Sequence, residues 1–143
     1  MSDIFALEPG TVIDRRASYI LSYPYLLSYF AAKPELGVED VVRGAHMVYG
    51  WMPTVLELHA RAPDTALADA AELLNRAKQR QPLADPDIER LAGIVNHSLV
   101  GASKLLHFVA PHTFPIWDSK IYAFMFRQRA YNDRVARVES YRK

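Results

Sequence analysis

Cysteine is absent from the 143 residues, so the chain can form no disulfide, no Cys-ligated zinc site and no iron–sulfur cluster. Long apolar runs are also missing. The most apolar stretch, residues 19–32, is fourteen residues long, interrupted by Pro24 and by serines, and too short to span a bilayer. The N-terminus has an acid, Asp3, where a secretory leader carries basic residues, and Glu8-Pro9-Gly10 cuts short any apolar segment before a cleavage site. These absences lead us to expect a cytoplasmic protein with no membrane segment. Glycine is scarce, at six residues, and no Walker loop, GxGxxG, GxSxG or HExxH occurs. Nucleotide hydrolysis, dehydrogenase and common hydrolase chemistry therefore have no motif behind them, and no cofactor is implied.

Net charge of one sign is lacking too: seventeen Lys/Arg against sixteen Asp/Glu leave +1. The distribution is uneven. Residues 120–143 hold seven basic side chains against Asp133 and Glu139, whereas the rest of the chain holds ten basic and fourteen acidic ones. The end of the chain is thus a basic pole on a mildly acidic body, either a solvated face or a phosphate-gripping surface.

What is present is apolar surface in helical register. Half the residues are hydrophobic, enough for one core, and no repeat or linker divides residues 1–143, which we read as one domain. Aromatics crowd residues 14–32 at three- and four-residue spacing, predicting a largely buried helix kinked or split at Pro24. Val41, Ala45, Val48 and Met52 recur at the spacing of an amphipathic helix that also carries Trp51. After Asp64, a suitable N-cap, Leu67, Ala70, Ala71, Leu74 and Ala77 form one stripe. Asp85-Pro86-Asp87 starts another helix, on which Ile88, Leu91, Ala92 and Val95 share a face. Residues 96–101 predict a turn, with Gly101 available for a left-handed conformation, before a short helix over residues 102–110. Pro111 stops that helix, Pro115 favours an extended Phe114, and Asp118-Ser119 can cap a last helix running toward Lys143. Strand-type alternation is absent throughout, so the fold class is all-α.

The chemistry-bearing segment is residues 102–122. Lys104 stands near the start of one short helix and Asp118 at the start of the next. From Lys104 the first helix climbs about 9 Å, and the eight residues after it can reach about 26 Å, so the loop can return Asp118 beside Lys104. A desolvated amine is a nucleophile at neutral pH, and a carboxylate beside it can stabilise a sugar cation or relay protons. Each residue also has a plainer reading: Asp118 as a helix cap, Lys104 as a solvated lysine, Trp117 as a core anchor rather than a base-stacking wall. His97, His107 and His112 lie ten and five residues apart, and His46 and His59 are isolated; none makes the i, i+4 pair that presents two imidazoles to one ion.

Val100-Gly101-Ala102-Ser103-Lys104 and Phe114-Pro115-Ile116-Trp117-Asp118-Ser119-Lys120-Ile121 resemble the hairpin exit and the aspartate loop of the helix-hairpin-helix (HhH-GPD) DNA glycosylases, including the bacterial 8-oxoguanine glycosylase-like proteins. The resemblance covers residues 95–126. It implies a compact HhH-GPD-like multi-helix domain acting on duplex DNA, with Lys104 as the Schiff-base lysine and Asp118 as the carboxylate assisting attack at the sugar C1′. An extruded damaged base would then lie against Trp117, Phe114, Tyr122 and Trp51, and Lys120, Arg127, Arg129, Arg134 and Arg137 would hold phosphates. The alternative is a non-enzymatic helical module that binds a protein partner.

Overall fold

A computed structural model of the protein describes residues 8–59 and 63–143, which form eight α-helices and no strand; an isolated bridge joins Leu58 to Val95. The fold is all-α. None of these helices is long and apolar enough to cross a membrane.

The stripe read in residues 41–52 is buried in α2 (Val38–Trp51), where Val41, Gly44, Ala45, Val48 and Tyr49 face inward. In α3 (Pro63–Lys78) the buried row is Ala70, Ala71, Leu73, Leu74 and Ala77, with Leu67 half-buried. Asp64 lies inside the first turn of α3 rather than before it, and residues 60–62, where a cap would sit, lie outside the described residues. α4 (Asp85–Ile94) buries Ile88, Leu91 and Ile94. Its start is secured by Asp87, not Asp85: the Asp87 carboxylate accepts the Ala84 N–H at 3.0 Å and pairs with Arg76 at 3.1 Å. The backbone donor, followed by the guanidinium, holds Asp87 below the usual carboxylate range despite its desolvation. Asp85 pairs instead with Arg142 at 2.8 Å.

α1 (Ser18–Ala31) departs from expectation in two ways. It runs unbroken through Pro24, and only Leu26 and Phe30 along it are buried. Pro24 is exposed, so water can satisfy the carbonyl that loses its N–H partner, and the helix need not split there. The helix lies on the rest of the molecule along one side, against α2 and α5, which leaves Leu21 and Tyr25 on its outer face, Tyr25 at 74% exposure. Its inner face packs closely because Gly44 has no side chain: a Cβ there would stand 2.5 Å from the Phe30 ring. The Lys78 ammonium closes the C-terminal end of α1, donating to Phe30 O at 2.6 Å where the helix dipole is negative.

α5 (Leu99–Val109) is the central helix and packs against α1, α2, α3 and α4. It begins three residues earlier than the sequence pattern suggests, with Ser98 as its cap accepting the Gly101 N–H at 3.1 Å. Gly101 is therefore helical, not left-handed. Asn96 and His97 take the positive φ angles, 54° and 48°. Asn96 tolerates this because its side chain is fully engaged: Nδ2 donates to Val55 O at 2.9 Å and Oδ1 accepts the Glu57 N–H. Gly101 serves packing instead, since a Cβ there would collide with the Tyr49 hydroxyl.

The expected long final helix is three short ones, α6 (Ser119–Phe126), α7 (Asn132–Val135) and α8 (Val138–Tyr141). Arg127 ends α6 in a left-handed conformation, φ 52°. The chain then folds back over the loop preceding α6: Trp117 Nε1 donates to Val135 O at 2.9 Å and Tyr141 Oη to Pro115 O at 3.1 Å. Burial of Val135, Val138 and Tyr141 against the one contiguous apolar cluster accounts for the break, because a continuous helix would carry them away from it.

Candidate functional site

The site grows from the junction of α5 with the loop that enters α6. Lys104 occupies the second turn of α5, flanked by the buried Ser103, Leu105 and Leu106, and is itself half-buried. Burial pushes its amine below the ordinary lysine range, and the Asp118 carboxylate opposes that shift by favouring the charged form. The loop thus returns Asp118 near enough for its charge to bear on the amine, but the two form no ion pair, and Asp118 does not line the cleft that opens beside Lys104.

Asp118 is the N-cap of α6. Its Oδ1 accepts the Lys120 and Ile121 N–H groups, each at 2.9 Å. The capping role read in the sequence and the proximity to Lys104 coexist, as the helix end fixes one carboxylate oxygen and the field of the group still reaches the amine.

Beside Lys104 opens a cleft of about 820 Å³ whose lining includes Tyr19, Ser22, Met47, Trp51 and Lys120. Trp51 is held across two helices, its Nε1 donating to Tyr19 O at 2.7 Å and its ring standing edge-on to Phe108 at 5.1 Å between centroids. Two cations and an aromatic wall therefore face one hollow.

The remaining expected pocket residues lie elsewhere. Trp117 and Tyr122 are core side chains packed edge to face at 6.0 Å, with Trp117 pinned through its indole N–H to Val135, so neither offers a base-stacking wall. Phe114 is buried and borders a separate hollow of about 570 Å³ near Leu83 and Tyr141. For Phe114 and Trp117 the C-terminal helices cover the loop and draw its aromatics inward, and Tyr122 is the buried residue of α6 itself. Of the expected phosphate contacts, Lys120 lines the cleft. Arg127, Arg129, Arg134 and Arg137 are exposed on the C-terminal segment, outside it. Arg129 and Arg134 lie over the Tyr131 ring at 5.3 and 5.4 Å, Arg134 also donates to Gln128 at 3.1 Å, and Arg137 pairs with Asp133 at 3.4 Å.

Two residues have roles that the sequence did not suggest, although His107 is weighed there as a metal ligand and Ser103 stands in the Val100–Lys104 motif. Ser103, fully buried, accepts the Trp117 N–H at 3.2 Å. His107 bridges the same helix and loop: its Nδ1 lies 2.8 Å from Phe114 O, which can only accept, so Nδ1 carries the proton and Nε2 accepts the Tyr23 hydroxyl at 2.6 Å. Burial lowers the proton affinity of His107, consistent with this neutral tautomer. A serine and a histidine at positions 103 and 107, one turn apart in a helix whose only other polar side chain is Lys104, were the available signal.

No protein-family model, no curated protein and no solved structure matches this chain.

Proposed function

We propose that the protein removes a damaged base from DNA, acting on an extruded nucleotide through Lys104 and Asp118. The observation that carries the reading is the half-buried Lys104 amine, its proton affinity reduced by burial and acted on by Asp118, at the wall of a cleft that also holds Trp51 and Lys120. The cleft volume falls within the range of about 300–1,000 Å³ usual for small-molecule sites. An extruded base would stack on Trp51, and Lys120 would meet a phosphate. Further support comes from the succession of α4, the turn over residues 95–98 and α5, although Val100–Lys104, read in the sequence as a hairpin exit, is helical and Lys104 sits in the second turn of α5.

In the reaction the neutral Lys104 nitrogen attacks C1′ as the C1′–N bond breaks, its electron pair leaving with the base. The proton lost by the nitrogen ends on the base, with Asp118 as carrier and as counter-charge to the sugar cation. The C1′–O4′ bond then breaks with its electron pair on O4′, which takes the remaining nitrogen proton, and an imine forms between C1′ and the Lys104 nitrogen. Incubation with damaged and with abasic duplexes in the presence of borohydride tests this directly. A covalent adduct abolished by Lys104→Ala, together with base release abolished by Asp118→Asn, is expected. Neither adduct nor base release over a broad lesion panel would end the reading.

A second reading, a non-enzymatic helical module that binds a protein partner, draws on the outer face of α1, where Leu21 and Tyr25 are exposed near Val12 and Ile13 in sequence. It gains if the lesion panel is negative and Leu21→Ser/Tyr25→Ser abolishes partner capture.

A further inference from the structure

Ser103 is a polar side chain fully withdrawn from solvent in the apolar core. A buried hydroxyl is costly unless its hydrogen bonds are made, and here they are: Oγ donates to Val100 O at 2.9 Å, within its own helix, and accepts the Trp117 N–H at 3.2 Å, with Trp117 O at 3.4 Å. The first bond is local and common for serine in helices. The second is long-range and joins α5 to the loop that enters α6.

The two bridged residues, 103 and 117, immediately precede 104 and 118. Asp118 has extended backbone, φ −159° and ψ −179°, so its side chain leaves the chain on the side opposite to that of Trp117. Trp117 points into the core and is anchored there through Val135. Asp118 is thereby directed outward, where its carboxylate acts on Lys104. On α5 each successive residue turns by about 100°, so Lys104 emerges beside Ser103 toward the cleft. The hydroxyl therefore ties together the two backbone positions that precede the functional side chains, while the cap of α6 orients the Asp118 carboxylate itself.

We infer that Ser103 is a positioning residue for the Lys104–Asp118 pair, its hydroxyl setting the separation at which the carboxylate acts on the amine. The chemical consequence of that role rests on the base-excision reading, but the coupling itself is a property of the folded chain and is measurable without any substrate.

The test is an NMR titration of the Lys104 side chain in the full-length protein labelled at lysine. Asp118→Asn removes the interaction that favours the ammonium, so the Lys104 midpoint falls. In a Ser103→Ala background the same change is expected to shift the midpoint by less than half as much. A hydroxyl with a merely structural role would lower the melting midpoint and leave the Asp118 effect on Lys104 whole. Ser103→Cys, close in size but a weak acceptor, gives the same comparison should the alanine variant fold poorly. Full retention of the Asp118 effect in the folded Ser103 variant, or no effect of Asp118→Asn in the native background, would overturn the inference. Base release is measured in parallel: Ser103→Ala is expected to lower kcat at least tenfold with KM unchanged. Absence of base release from every variant would remove the excision reading, while the titration still decides the role of Ser103.

Discussion

The charge of Asp118 bears on Lys104, fourteen residues earlier in the chain, without an ion pair forming between them, and the two influences on the lysine oppose one another. Burial of the amine disfavours its proton and the carboxylate favours it, with burial the larger effect. The carboxylate also caps α6 through two backbone bonds on one oxygen. Substitutions at these two positions therefore separate charge from capping.

Asp118→Ala removes both functions and should destabilise the fold by about 1 kcal/mol, the usual cost of losing an aspartate cap. Asp118→Asn keeps an oxygen that can accept the Lys120 and Ile121 N–H groups and should recover most of that loss, while its effect on the charge of Lys104 remains. Thermal melts of the two variants at pH 7 check the difference. Equal loss in both would mean that the charge rather than the cap stabilises α6.

Lys104 itself should cost stability near neutral pH. Its folded-state pKa is depressed below the unfolded value. Between the two values the unfolded chain binds more protons, so this group makes stability rise with pH across that window and leaves a constant penalty below it. Lys104→Met should accordingly raise the melting midpoint at pH 7, and the advantage over the native protein should shrink as pH approaches 10. A difference independent of pH would show that packing, not the buried charge, is responsible.

Gly101→Ala should behave unlike an ordinary helix substitution. Replacing helical glycine by alanine normally stabilises by about 0.5–1 kcal/mol. Here the new methyl meets the Tyr49 hydroxyl, which is buried and completes no hydrogen bond, although Ser98 lies near enough to influence it. A loss of about 1–3 kcal/mol is expected from overpacking. Tyr49→Phe alone should be nearly neutral, because no hydrogen bond is lost, and combined with Gly101→Ala it should restore only part of the stability, since the ring Cζ would still stand 2.8 Å from the new methyl. Chemical denaturation of the two single variants and the double variant measures the coupling.

The basic pole should show itself in salt dependence. If the C-terminal segment grips phosphates, the logarithm of the DNA-binding constant should fall with the logarithm of salt concentration by about 0.9 for each phosphate neutralised. Replacing Arg127, Arg129, Arg134 and Arg137 by alanine should flatten that slope by several such steps. Lys120→Ala, which alters a cleft residue, should change it by about one. A slope unmoved by the fourfold replacement would take the C-terminal segment out of the interface.

By itself the sequence determined the all-α class, the inward faces of α2, α3 and α4, the cap at Asp118, and the reach that lets the loop return Asp118 toward Lys104. Each follows from local spacing or chain length, which a linear pattern records. Tertiary structure alone decided that Gly101 would serve packing rather than a turn, since the Tyr49 ring against it comes from a different helix, and that α1 would keep much of its apolar surface exposed, since nothing described covers its far side. It likewise decided the break of the C-terminal segment and the inward turn of Trp117, because the partners Val135 and Pro115 lie across the chain from the groups they hold. The serine that ties α5 to the aspartate loop was one letter between Ala102 and Lys104. Its hydroxyl gained a partner only when folding put the Trp117 N–H beside it, out of the reach of water.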